Sequence, residues 1–193
     1  MRSKMVLHKH KLGELLDVKR GASLAGEYYA TSGDYIRLTC GNFDYQNNSF
    51  KLNTSKDNLF YTGPVRKEFI MKKGDIITPL TEQAIGLLGS TAIIPEDDKY
   101  IQSQDVAKII CKENLLYPMF AYYLISSDIV KKQFYEAAEN NFKAAMKYIS
   151  EHQLQSQFQK RIDIILHNCE SSGWGFPDSM WDIYYDYSDR EEE

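Results

Sequence analysis

The sequence predicts an α+β fold that is mostly β with a few helices, followed by a short C-terminal helix and an acidic tail. Three observations support this prediction. Residues 69–95 (FIMKKGDIITPLTEQAIGLLGSTAIIP) contain two apolar runs separated by polar residues, the pattern of paired buried strands. Residues 34–40 alternate between polar and apolar side chains, as in a half-buried strand. From Tyr117 onward, apolar residues recur at helical spacing instead.

Length and composition indicate one folded domain with appendages. The 193 residues, 43% of them hydrophobic and 13% aromatic, suffice for a core. No apolar run approaches the roughly 20 residues of a membrane helix, and the N-terminal residues lack the apolar centre of a secretory signal. The odd, widely spaced cysteines Cys40, Cys111 and Cys169 disfavour a disulfide framework or a zinc site. We therefore expect a cytoplasmic protein with no membrane association.

Charge is distributed unevenly along the chain. Residues 1–80 carry 13 Lys or Arg against 8 Asp or Glu, whereas residues 168–193 carry 1 against 8. This segregation is compatible with a basic face for a polyanion and an acidic tail elsewhere. A solvated tail that happens to be acidic explains the negative charge of residues 168–193 equally well.

The first element is ambiguous from sequence, because residues 11–19 fit either a short strand or one helical turn. They lead into KRGAS at residues 19–23, where Gly21 permits close backbone approach and the adjacent cations can meet phosphates. A solvated basic turn is the simpler explanation of this segment taken alone.

The predicted strand at residues 34–40 opens into residues 41–48 (GNFDYQNN), which are dense in amide side chains. Asn and Gln can pair with two edge atoms of adenine, and Arg37 can do so with guanine. Asn, Gly and Asp are also ordinary turn residues. Both explanations remain open from the residues alone.

Within residues 69–95, the turn at 72–75 should start a strand that ends at 78–79, and residues 87–94 should form the return strand. Residues 81–83 connect the two runs and are predicted to face a binding partner. Further along, residues 95–99 (PEDDK) read as a solvated turn, and residues 106–111 as another strand.

The C-terminal third contains a second amphipathic pattern, at residues 154–166. Its apolar residues recur at three- and four-residue steps and include Leu154, Phe158, Ile162 and Ile165. A helix this short needs a partner surface to be stable.

Chemical motifs for catalysis or cofactor binding are missing from the sequence. It contains no Walker-type glycine loop, no GxGxxG and no Asn/Asp-Pro-Pro-aromatic motif. We therefore predict a binding protein with no catalytic residues, no cofactor and no metal. A nuclease built on Asp75 and Glu82 is a remote third possibility.

Five segments follow one another along the chain in this order: LGELLDVKRGAS, YIRLTCGNFD, KKGDIITPLTEQAIGLLGSTAII, QDVAKI and LLYPMFAYYLISS. This ordered set resembles a target recognition domain of the DNA specificity (S) subunit of type I restriction-modification systems, over roughly residues 11–130. The resemblance implies a domain that inserts loops into the major groove of double-stranded DNA. It also implies a non-catalytic subunit that binds the methyltransferase subunit and, through it, the restriction subunit.

On this basis we expect a target recognition domain at residues 1–146 and the start of a spacer helix at 147–169, with an acidic aromatic tail at 170–193. The helix stops near residue 167 and no second recognition domain follows, so the chain resembles a half-subunit, a truncated reading frame or a domain exchanged by recombination. Such a half-subunit could form a homodimer and bind a symmetric target. The tail matches no part of the family; it is either a DNA-mimicking segment or a frayed terminus.

The expected function is sequence-specific DNA binding within a type I restriction-modification complex. The alternative is a degenerate or regulatory fragment that binds the methyltransferase subunit without recognising DNA, through Leu154, Phe158, Ile162 and Ile165. The candidate DNA contacts are Lys19, Arg20, Ser23, Arg37, Thr39, Asn42, Tyr45, Gln46, Asn47, Asn48, Lys51, Thr81, Glu82 and Gln83.

Overall fold

The computed structural model describes residues 9–151 except 82 and 85, and it confirms the mixed, mostly β fold. The strands are β1 (Leu16–Arg20), β2 (Tyr29–Ala30), β3 (Tyr35–Arg37), β4 (Phe43–Asp44), β5 (Ser49–Phe50), β6 (Phe60–Tyr61), β7 (Ile76–Pro79), β8 (Ala92–Ile93), β9 (Tyr100–Ile101) and β10 (Val106–Cys111). The helices are α1 (Leu12–Leu15), α2 (Pro118–Ile125) and α3 (Asp128–Glu151). Both alternatives for residues 11–19 are thus realised, since the helical turn α1 leads directly into β1.

The described strands form two four-stranded sheets and one hairpin. Sheet I has the order β1-β10-β7-β8 with antiparallel neighbours throughout. Sheet II has the order β2-β6-β3-β9, in which β3 and β9 run parallel. Strands β4 and β5 pair as a separate hairpin.

Sheet I lies between two hydrophobic clusters, because successive side chains on a strand point to opposite faces. Ile77 is fully buried against sheet II, together with Leu38 and Tyr100. Its neighbour Ile76 packs on the other face, against Tyr122 of α2. Complete burial of one such side chain contributes about 1.5–3 kcal/mol to the stability of the fold. Apolar contacts therefore stabilise the sheet on both of its faces.

The predicted strand pair within residues 69–95 is confirmed as β7 and β8, with Ile76 opposite Ile93. The turn before β7 needs a glycine, since Gly74 has φ +90°. The return strand is shorter than predicted, covering two residues instead of 87–94. Gly89 has φ +78° and an added Cβ would lie 3.0 Å from a carbon of Lys131, so this segment turns to pack against α3.

The predicted strand at residues 34–40 was too long. Strand β3 ends at Arg37, and a 3-10 turn begins at Cys40 (Cys40–Asn42). The Thr39 backbone N–H donates to Asn42 Oδ1 at 2.9 Å. This local side-chain bond caps the turn and competes with continued strand pairing.

The helical pattern that begins at Tyr117 divides into α2 and α3. Pro118 occupies the first turn of α2, where its missing N–H costs nothing. Helix α3 runs across residue 146, so the predicted domain boundary there stays a prediction. Residues 154–166 and 170–193 lie outside the described residues. None of the helices within residues 9–151 combines the length and apolar character needed to cross a membrane.

Candidate nucleic-acid interface

Strand directions bring four loop segments to one end of the two sheets. Strand β1 ends at Arg20, opposite Ala107 near the start of β10, and β7 ends at Pro79, opposite Val106. Because β3 and β9 run parallel, the residues after both strands emerge at a common end. We call residues 20–23, 38–42, 80–83 and 102–105 together the rim.

Hydrogen bonds join sheet I's loops across the rim. Arg20 Nε donates to the Gln104 carbonyl at 2.9 Å, and the Leu80 N–H donates to the Asp105 carbonyl at 2.9 Å. Gly21 lies so close to this strand connection that an added Cβ would be 2.2 Å from the Ser103 carbonyl oxygen. The predicted close backbone approach at Gly21 is therefore observed, although its partner is the protein's own backbone.

The chain turns a corner after β3, at residues 38–42, and this corner links sheet II to the same rim. Ser103 Oγ donates to the Leu38 carbonyl at 2.6 Å. Cys40 Sγ and Thr81 Oγ1 lie 3.4 Å apart, which connects this corner to the loop after β7. Burial raises the pKa of the Cys40 thiol despite the opposing effect of the Thr81 hydrogen bond, so the thiol stays protonated at neutral pH.

Charges of both signs lie at and around the rim: Arg20 and Asp105 belong to it, and Glu68 beside it neutralises part of the charge of two basic neighbours. Lys19 Nζ lies 2.7 Å and Arg66 Nη1 3.2 Å from the carboxylate of Glu68. The hydrogen bond from Lys19 and its charge lower the pKa of Glu68, which is therefore ionised at neutral pH. Arg20 is exposed, and the side-chain hydrogen bond that it makes within the described part of the chain is the one to the Gln104 carbonyl.

The acidic turn at residues 95–99 lies at the opposite end of sheet I from the rim. Its carboxylates are engaged locally: Asp98 pairs with Lys72 at 2.6 Å and Glu96 with Lys99 at 2.7 Å. The predicted solvated turn is confirmed, because residues 95–98 are exposed. The length of β7 separates these acids from the rim.

Several predicted DNA contacts are engaged within the fold, and for these residues the structure favours a structural role. Arg37 is 9% exposed and Asn42 is 1% exposed, so neither side chain presents an edge to a base in this conformation. Asn42 Nδ2 donates to the Lys51 carbonyl at 3.2 Å. Thr39 Oγ1 accepts a hydrogen bond from Asn53 Nδ2 at 2.9 Å.

Asn48 is also engaged within the fold. It has φ +50°, a conformation that Asn adopts more readily than most residues. Its Nδ2 donates to Thr91 Oγ1 and to Ser126 Oγ, both at 2.9 Å. Tyr122 donates its hydroxyl proton to the Asn48 carbonyl. The residue thereby joins the β4–β5 hairpin to β8 and α2.

The remaining candidates of the amide-rich loop divide into two groups. Asn47 is exposed but its amide donates to Asp44 Oδ2 at 2.9 Å, as in an ordinary turn, and Tyr45 packs partly against the core. Gln46 and Lys51 are exposed. The turn explanation therefore holds for much of this loop, while these two side chains can reach a partner.

Ser23, Thr81 and Gln83 are exposed, as a contact role requires. Glu82 and the predicted partner-binding residues lie outside the described part of the chain. Sequence reasoning missed Gln104, an exposed rim residue, and Asn53, which reaches the corner from the next loop. The polar composition of residues 51–58 is typical of a loop, but only the tertiary contacts bring this segment to the rim.

No group of three or more His, Cys, Asp or Glu side chains within residues 9–151, apart from 82 and 85, could hold a metal ion. Asp75 pairs with Lys108 at 2.7 Å. Because Asp75 precedes β7 and the 80–83 loop follows it, the strand separates Asp75 from that loop.

The fold and the rim define an α+β domain that carries polar and basic loops at one end of its sheets, the kind of scaffold on which binding residues are displayed. Residues 7–164 match the family described as type I restriction modification DNA specificity domain, and the chain belongs to this family. No curated protein matches the sequence.

The solved structures that are similar to this chain include two S subunits. The HsdS subunit from Thermoanaerobacter tengcongensis aligns with a TM-score of 0.39 and 16% identity, over 63% of this chain and 29% of that chain. The type I restriction-modification system S subunit from M. genitalium aligns with a TM-score of 0.39 and 14% identity, over 67% of this chain and 29% of that chain. The alignment thus spans less than a third of the length of either subunit.

Proposed function

We propose that this chain binds double-stranded DNA sequence-specifically, as the specificity component of a type I restriction-modification complex. The family match over residues 7–164 supports the role. The observation that carries the proposal is the convergence of Arg20, Thr81 and the corner at residues 38–42 on one rim. A rim whose exposed Arg20 lies beside exposed hydroxyl and amide groups suits DNA, since cations meet phosphates and polar side chains meet base edges.

The proposed roles follow from exposure, except that of Lys19, which is half-buried and pairs with Glu68 beside the rim. Lys19, Arg20 and Lys51 contact phosphates, which carry no sequence information. Thr81, Gln83 and Gln46 contact base edges. Arg37, Asn42 and Asn48 are excluded from this set because the protein's own groups occupy their side chains.

The test is selection of bound duplexes from a randomised DNA pool by the purified chain, followed by affinity measurements. Gln83→Ala should change preference at particular base pairs, whereas Arg20→Ala should weaken all duplexes alike and reduce the slope of log affinity against log salt by about 1. Failure of the wild-type chain to enrich any sequence would refute the proposal. Equal scaling of all sequences by both variants would refute the division of roles.

We further propose the partners and assembly that this role entails. The chain contributes recognition and no catalysis, it acts in the cytoplasm, and it binds the methyltransferase subunit and through it the restriction subunit. A homodimer of the chain would present two rims to a symmetric target. Sedimentation of the chain with its selected duplex tests this, since a strict 1:1 complex would exclude the dimer.

The alternative function, methyltransferase binding without DNA recognition, has one observation in its favour. Tyr117, Phe120 and Tyr123 are 71%, 60% and 64% exposed on and beside α2, and aromatic side chains are enriched in protein interfaces. Co-purification with a type I methyltransferase subunit together with no retention on any duplex would support this alternative over the leading proposal.

A further inference from the structure

The segment between β5 and β6, residues 51–58 (KLNTSKDN), lies beside the rim without regular secondary structure. All of its residues except Asn53 are exposed, and Leu52 is 63% exposed. Apolar burial therefore does not hold this loop in place. Polar contacts at both ends and near its centre do so instead.

The central anchor is Asn53, which makes contacts in two directions. Its Nδ2 donates to Thr39 Oγ1 at 2.9 Å, and its Oδ1 accepts from the backbone N–H of Ser55 at 2.9 Å and from Ser55 Oγ at 2.6 Å. Gly41 leaves the space for this amide, because an added Cβ would lie 2.5 Å from Asn53 Nδ2. One side chain thus fixes the loop to the corner after β3 and also shapes its turn.

The two ends of the loop are tied to the same stretch of chain. At the start, the Lys51 N–H donates to the Asn42 carbonyl at 3.0 Å. At the far end, Arg37 Nη2 donates to the Asn58 carbonyl at 3.3 Å. Residues 37–42 therefore hold the beginning, the centre and the end of the loop.

The Arg37 guanidinium is unusual for a buried group. It stacks 3.8 Å from the centre of the Tyr29 ring, and its Nε has no hydrogen-bond partner among the described residues. No carboxylate of the described chain lies within ion-pair distance of it. A buried cation without a counter-charge adds positive potential beneath the loop, which favours an approaching polyanion.

We propose that residues 51–58 form an additional DNA-contacting loop, in which Thr54 meets base edges and Lys56 meets a phosphate. Thr39, Asn53 and Arg37 act as positioning residues. This inference rests on the proposed function and specifies its surface. The loop and the 80–83 loop flank one corner, since Thr39 holds Asn53 and the adjacent Cys40 contacts Thr81. Anchoring in the free protein lowers the ordering cost of binding.

A matched pair of substitutions tests the positioning role. Thr39→Val keeps the shape of the side chain but removes the acceptor for Asn53, whereas Thr39→Ser keeps the acceptor. We expect Thr39→Val to reduce the preference for the selected duplex over an unrelated one by about tenfold, and Thr39→Ser to remain within about twofold of wild type. Gly41→Ala, which displaces the same amide from the other side, should reproduce the effect of Thr39→Val.

The contact role is tested separately in the full-length chain. Lys56→Ala should weaken all duplexes by about threefold to tenfold at low salt and reduce the salt slope by about 1. A photo-crosslinking amino acid at position 54 should attach to the selected duplex. The same group at position 110, an exposed site on β10, should not.

The outcomes separate this inference from the proposed function. If the wild-type chain selects a sequence but Thr39→Val and Lys56→Ala both bind as wild type and position 54 does not crosslink, the loop is not a DNA contact and the proposed function stands. If melting curves show that Thr39→Val is unfolded, Lys56→Ala and the crosslink at position 54 test the loop instead. Wild-type binding by Lys56→Ala together with no crosslink would then refute the DNA contact. If the wild-type chain selects no sequence, both proposals fail together.

Discussion

The side chain of Asn48 hydrogen-bonds to two atoms of Thr91, which lies 43 positions further along the chain. Asn48 Oδ1 accepts from the Thr91 backbone N–H at 2.7 Å, while Nδ2 donates to Thr91 Oγ1 at 2.9 Å. Thr91 is fully buried and its hydroxyl donates in turn to the Tyr122 carbonyl at 2.9 Å. The amide therefore satisfies polar groups that would otherwise be buried without partners, at the junction of the hairpin, β8 and α2.

Asn48→Gly should lower the free energy of unfolding by about 1–3 kcal/mol, because it leaves the Thr91 N–H unpaired. Asn48→Ala should cost about 1 kcal/mol more, since alanine tolerates the positive φ less well. Urea denaturation measures both values. Gln46→Ala, at an exposed position of the same turn, is the control and should change stability by less than about 0.5 kcal/mol. Equal stability of Asn48→Gly and wild type would show that this junction is held by other contacts.

Gly21→Ala should destabilise the protein by at least about 2 kcal/mol, because the new Cβ would meet the backbone oxygens of Ser103 and Gln102 at 2.2 and 2.6 Å. The matched control is Gly13→Ala. No atom lies within 4 Å of a Cβ added there, and alanine favours the helical turn, so stability should be unchanged or slightly raised. Thermal melting of the two variants side by side tests the prediction, and equal melting temperatures would contradict it.

Glu68→Gln should raise affinity for any duplex by about threefold to tenfold at low salt, because it frees Lys19 and Arg66 from their shared carboxylate. The gain should shrink as salt increases. Glu96→Gln is the control for net charge, since Glu96 pairs with Lys99 at the end of sheet I opposite the rim. Fluorescence anisotropy at several salt concentrations measures both. An equal gain from the two variants would mean that overall charge, not the rim, governs binding.

Tyr100→Phe should leave stability unchanged or raise it by up to about 1 kcal/mol. The Tyr100 ring is fully buried, and its hydroxyl has no hydrogen-bond partner among the described residues. Removing a buried polar group without a partner removes a desolvation cost. A loss of more than about 1 kcal/mol in urea denaturation would show that the hydroxyl has a partner.

The stability of the wild-type protein should fall as pH rises above about 9. Burial raises the pKa of the Cys40 thiol and of the Tyr100 and Tyr122 phenols above their ordinary values. The unfolded chain therefore releases these protons first as pH rises, and the native state, which retains them, loses stability. Tyr100→Phe should reduce the steepness of the fall without removing it, because Cys40, Tyr122 and Cys111, whose pKa burial also raises, remain. Denaturation midpoints from pH 8 to pH 11 test this, and a flat profile would contradict it.

Local patterns predicted the β-rich fold, the strand pair β7–β8, the turn at Gly74 and the start of α2 at Pro118. These features depend on alternation, on a glycine at positive φ and on proline in a first helical turn, all of which neighbouring residues specify. The length of β3 and the break between α2 and α3 were not predicted, because they depend on side-chain hydrogen bonds such as that of Thr39 with Asn42.

The sequence by itself determined the class of fold, the basic segment at residues 19–23 and the resemblance that the family match confirms. It could not separate contact residues from structural ones, because Arg37, Asn42 and Asn48 have the same chemistry as groups that bind bases. Only the tertiary structure decided that these three are engaged internally, while Arg20, Thr81 and Gln83 remain exposed at the rim. The physical reason is that burial and partner choice depend on residues 14 to 84 positions away in sequence, as in the pairs Thr39–Asn53 and Arg20–Gln104.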